Sequence, residues 1–161
     1  MSGLGFLWLI LTDALWSAMA ALGFAVLFNV PVRTLWGCAM CGATGHAVRT
    51  LLMEAGLGIE LATLAGATVV GFLGGVFARQ WRTPTTTFTV SGAIPMVPGV
   101  FAYETMIGLL TIADTSQPVN YDLVAEVIVS AVKTALILGA IAFGIAAPGL
   151  LFRRRRAEGG E

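Results

Sequence analysis

The 21 residues from 83 to 103, TPTTTFTVSGAIPMVPGVFAY, contain no charged side chain. At 1.5 Å per helical residue such a run covers about 30 Å, the hydrocarbon thickness of a bilayer. Its centre resists a regular helix. Pro95 and Pro98 lack an N–H and clash with the preceding turn, and Gly92 and Gly99 add backbone freedom. The stretch therefore predicts a membrane segment in two halves, the second starting near Gly99 or Val100. The start of that second half would present free N–H groups and a partial positive charge inside the membrane, which suits an anion. A proline kink used only for packing is the plainer alternative. Irregular backbone at that depth is tolerated only against protein or a water-filled cavity.

The rest of the chain has the same character. Uncharged runs also cover 14–32 (19 residues), 34–48 (15), 61–78 (18) and 134–152 (19). Apolar residues make up 57% of the 161 and charged ones 11%, against about 25% charged in an ordinary soluble domain. This composition excludes a disordered chain and argues against a soluble globule. The formal net charge is zero and the basic cluster is confined to residues 153–156, so nucleic acid is not an expected partner. The runs are too long for barrel strands and lack their two-residue alternation, which leaves an all-α integral membrane protein.

Five transmembrane segments are expected, at 4–29, 34–55, 60–81, 87–113 and 122–152, forming a single domain over 1–152 with a basic tail over 153–161. With the N-terminus out and the C-terminus in, Arg33, Arg79, Arg82 and Arg153 to Arg156 are all cytoplasmic, while Glu60, Asp114 and Asp122 lie outside, as the positive-inside rule asks. The first segment is read as a retained helix. A secretory signal would begin with a positive region, and no basic residue precedes Arg33. Asn29-Val30-Pro31 ends the first segment, and Ala147-Pro148-Gly149 kinks or ends the fifth. The tail reads as a stop-transfer anchor that also meets membrane lipid, and residues 158–161 as a frayed end. Trp8, Trp16, Trp36 and Trp81 fit an interfacial aromatic belt. Small residues at four-residue spacing mark close-packing faces: Ala67, Gly71 and Gly75; Gly37, Cys41 and Gly45; Ala140 and Gly144.

Few residues could carry chemistry. Cys38, Cys41 and His46 supply three metal-type ligands where a structural zinc site wants four, so no metal or cofactor is expected. Nothing resembles a nucleophile–base pair or a phosphate loop, so no enzyme is expected. Intramembrane charges are costly unless paired or facing water, and they mark function. His46 and Arg49 share a helical face. Counting 1.5 Å per residue puts Arg49 about 8–10 Å below the outer edge and Glu104 about 13 Å below it. An Arg49–Glu104 pair is expected, or a substrate carboxylate held by Arg49 in its place. A purely structural ion pair is the alternative. Asp13 lies nearer the outer boundary with Ser17 one turn below, and the depth of Lys133 stays open because its segment is long.

Several of these stretches together resemble the threonine/serine exporter family, small-subunit type. They are residues 23–33 (GFAVLFNVPVR), Gly45-His46 with Arg49, Ile94-Pro95-Met96-Val97-Pro98-Gly99 followed by Tyr103, and the closing Pro148-Gly149-Leu150. The resemblance implies a bacterial inner-membrane exporter half. It acts with a larger partner subunit that carries a membrane domain of its own. It also implies export of threonine and serine, with succinate associated with some split pairs. His46, Arg49, Pro95, Pro98, Gly99 and Tyr103 map onto the family pattern, whereas Glu104 has no place in it.

The expectation is thus one subunit of a two-component secondary exporter of small carboxylates. Arg49, His46, Pro95, Pro98, Gly99, Tyr103 and Glu104 would line the substrate site. His46, Asp13 or Glu104 would titrate to couple export to the proton gradient, imidazole being the side chain that ordinarily titrates near neutral pH. The competing readings are a structural scaffold for a transport-competent partner and a homo-oligomeric channel.

Overall fold

The computed structural model describes residues 3–114 and 120–157, and residues 158–161, read above as a frayed end, lie outside them. All regular structure among the described residues is helical: α1 (Gly3–Leu27), α2 (Leu35–Glu54), α3 (Ile59–Trp81), α4 (Thr86–Ala93), α5 (Gly99–Ala113) and α6 (Tyr121–Ala157). Short 3₁₀ turns at Val32–Thr34 and Ile94–Met96 join α1 to α2 and follow α4. Six α-helices stand where five segments are expected, because the fourth breaks. Its two parts, Thr86–Met96 and Gly99–Ala113, meet at a 62° bend. The prolines dictate this: Val97 is extended (ψ 131°), and Pro98 then starts α5.

Among the described residues three helices, α1, α3 and α6, are long and apolar enough to cross a membrane, and the bent α4–α5 pair makes a fourth if it is one span. α2 does not join them on length and composition, since its 20 residues include His46, Arg49 and Glu54. It is nevertheless packed against α1, α3 and α4.

Helix ends follow local chemistry. After α1, Asn29 takes a left-handed conformation (φ 55°), and Asn29 N–H donates to Val26 O while Val30 N–H donates to Ala25 O. That pair of bonds satisfies carbonyls the helix would leave open. Arg82 plays the same part after α3 (φ 51°), with Thr83 N–H donating to Ala78 O. Pro148 does not end α6, which continues to Ala157 and takes the basic stretch with it.

Close crossings at small residues set the packing. A Cβ on Gly42 would lie 2.6 Å from the Ala21 Cβ, one on Gly66 2.5 Å from Gly45 O, and one on Gly71 2.7 Å from Ile145 O. These contacts also give the directions. Gly37 meets Trp81 while Gly45 meets Gly66, so α2 and α3 are antiparallel. Gly37 meets Phe88 while Gly92 meets Cys41, so α4 runs parallel to α2. Both cysteines are buried and free; the Cys38 thiol donates to Thr87 O at 3.4 Å. Trp81, the last residue of α3, also joins an aromatic cluster. It stacks with Phe77 and Phe88 at centroid distances of 5.2 and 5.6 Å, because Gly37 leaves room for the rings. Trp8, Trp16 and Trp36 are exposed.

Candidate functional site

The polar face of α2 gathers two neighbouring clusters. In the first, Asp13 of α1 accepts from His46 Nδ1 at 2.8 Å, and the Thr50 hydroxyl donates to the same carboxylate oxygen. His46 and Thr50 are four residues apart and so stand one above the other on α2. Both partners are mostly enclosed, with side chains 19% and 29% exposed for His46 and Asp13. Two bonds to one carboxylate hold it in place and fix the direction of the imidazole.

The second cluster lies at the broken segment. Arg49 Nη1 donates to the Met96 carbonyl at 3.1 Å. In a continuous helix that carbonyl would accept from Val100, four residues on. The break releases it to Arg49. Gly45 and Gly66 bring α2 and α3 together beneath this contact, and Met96 packs on the crossing: a Cβ on Gly66 would lie 3.1 Å from Met96 Sδ and 3.4 Å from Arg49 Cβ. One N–H of Arg49 is occupied, and a guanidinium has five in a fork that matches a carboxylate. His46 and Arg49 are three residues apart on α2, so the two clusters are neighbours on one helical face.

At the start of α5, Gly99 N–H donates to Val97 O at 2.8 Å and Ala102 N–H to Pro98 O at 3.0 Å. The N–H groups of Val100 and Phe101 have no intrahelical acceptor there. Pro98 is buried, whereas Gly99 and Val100 are exposed.

The structure thus brings Asp13, His46, Arg49 and the Pro95–Gly99 break together. It does not form the expected Arg49–Glu104 pair. Glu104 instead accepts from Ser130 of α6 at 3.2 Å, with Lys133 Nζ 5.1 Å from the centre of the Phe101 ring alongside. The reason is the bend, beyond which α5 packs on α6. Tyr103 lies on the same helix with its side chain exposed. Asp13 reaches across the α1–α2 contact to His46 and keeps 29% of its side chain exposed. Thr50, the Met96 carbonyl and Ser130 are absent from the sequence reading. Thr50 was within reach of it, since spacing alone places it on the His46 face.

A family model described as "Threonine/Serine exporter, ThrE" matches residues 13–151. An uncharacterized protein of Haemophilus influenzae is 42% identical over 147 residues, which are 91% of this chain and 49% of that one. The chain spans about half the length of that relative. No solved structure matches.

Proposed function

Because the chain belongs to the threonine/serine exporter family, we propose that it is one membrane half of a secondary exporter of small carboxylates. Threonine and serine are the first substrates to try, with a dicarboxylate such as succinate as the variant. The observation that carries the proposal is the Arg49–Met96 hydrogen bond at the broken segment. It stations a cation with spare donors beside a helix start, the two features that a substrate carboxylate needs.

In this reading the chain crosses a bacterial inner membrane five times. α2 counts as a span because its polar face is covered by α1 and by the α4–α5 break, and the N-terminus is outside. A larger partner subunit supplies the other wall of the pathway; the twofold greater length of the Haemophilus influenzae relative supports a missing half. The Asp13–His46–Thr50 cluster carries the proton that couples export, being the histidine–carboxylate pair that neighbours Arg49 on α2.

Efflux from preloaded cells tests this. Cells lacking the chain receive it alone, the partner alone, or both, and threonine, serine and succinate are followed. Restoration by both together, with one solute selected, is the expected result. Efflux by the partner alone would reduce this chain to a scaffold, and efflux by this chain alone would make it a self-sufficient pore.

A further inference from the structure

A cavity of about 540 Å³ opens between α3, α6 and the α3–α4 connection, away from the Arg49 site. Arg79, Thr83 and Thr85 line one part of it, and Gly75, Pro148 and Gly149 another. Arg79 lies in the last turn of α3, where a 23-residue span reaches the membrane boundary. The Thr83 hydroxyl oxygen is buried with no hydrogen-bond partner, which buried polar groups rarely tolerate. Below this polar end the walls are apolar. A Cβ on Gly75 or Gly149 would meet nothing within 4 Å, so these glycines mark open space rather than a helix crossing. Phe72 and Val76, both exposed, flank the opening.

The lining thus has a cationic, hydroxyl-bearing end at the boundary and an apolar groove running into the span. A small hydrophilic carboxylate would match only the first part. An amphiphile with an anionic head matches both. We propose that this cavity binds an anionic phospholipid, with the phosphate at Arg79 and Thr85 and an acyl chain along Gly75, Pro148 and Gly149. The site is independent of the export pathway and uses none of its residues.

Native mass spectrometry on the purified full chain tests it, with phosphatidylglycerol and phosphatidylcholine offered in equal amounts and inorganic phosphate as a separate arm. One phosphatidylglycerol per chain should be retained, preferred about fivefold, the value of one arginine charge at headgroup level. Arg79→Gln should bring that preference close to unity. Gly75→Leu should lower retention of both lipids by filling the groove, and the open space at Gly75 lets the variant fold. Three results would each overturn the assignment. The chain could show no phosphatidylglycerol preference. The preference could survive both variants, which would hand it to the basic stretch at 153–156. Millimolar inorganic phosphate could displace the lipid, which would make this a site for a free anion. Efflux plays no part in the readout, so the two proposals fail separately.

Discussion

His46 Nδ1 and the Asp13 carboxylate meet at 2.8 Å across the α1–α2 contact, 33 residues apart in the chain. Thr50 donates to the same carboxylate, so Asp13 keeps a partner whatever the protonation of the imidazole. A coupling role requires a group that can gain and lose a proton without the bundle coming apart. His46→Gln keeps a side-chain amide that can donate to Asp13 but cannot titrate. It should abolish uphill export and leave exchange of labelled for unlabelled substrate intact. Parallel loss of both activities with a well-assembled protein would assign His46 to substrate binding, and loss of neither would remove it from the mechanism.

Arg49 should act on the substrate more than on the fold. Arg49→Lys keeps the charge and can still reach a carbonyl, but loses the planar fork that grips a carboxylate through two N–H groups. A lost charge-assisted hydrogen bond is worth about 1.5–3 kcal/mol, so the apparent KM for export should rise about 10- to 100-fold. Arg49→Met should be inactive. An unchanged KM in Arg49→Lys, measured by initial efflux rates, would show that the arginine serves packing at Met96 alone.

What the sequence disclosed depended on how local each cause was. The break at 91–99 was legible because proline acts on its own turn, and the Asn29 terminus because the following Val30-Pro31 forbids more helix. The exporter-like pairing of His46 with Arg49 on one face followed from spacing. Partner choice did not. Counting depth along single helices put Arg49 and Glu104 level, but depth says nothing of azimuth, and the 62° bend gave Glu104 to Ser130. Asp13 and His46 were each singled out, yet nothing local joins residues 33 apart. The packing of Trp81 against Gly37 was equally out of reach, since it joins residues 44 apart.

Two glycines of one helix should respond oppositely to the same change. On Gly66 an alanine Cβ would meet Gly45 O at 2.5 Å, backbone that cannot rotate away. Gly66→Ala should cost about 1–3 kcal/mol of stability. It should also weaken export beyond that loss, because the same Cβ pushes on Met96 Sδ and Arg49 Cβ. Gly75→Ala meets nothing and removes a flexible residue from a helix interior, so it should stabilise by about 0.5–1 kcal/mol. Thermal unfolding of the purified variants in one detergent separates them, and equal stabilities would contradict the α2–α3 crossing.

The prolines and Arg49 should prove to be one device. Replacing both Pro95 and Pro98 with alanine restores two N–H groups and removes two ring clashes, so α4 can run on into α5. The Met96 carbonyl would then accept from Val100 and cease to be available to Arg49. Spin labels at Thr86 and Leu110, both exposed, should move apart by several ångströms as the 62° bend opens. The apparent KM should rise to the level of Arg49→Lys, and adding Arg49→Lys to the double proline variant should cost nothing more, the non-additivity expected of residues acting through one contact. Additive losses, or straightening with export preserved, would show that the break and the arginine work separately.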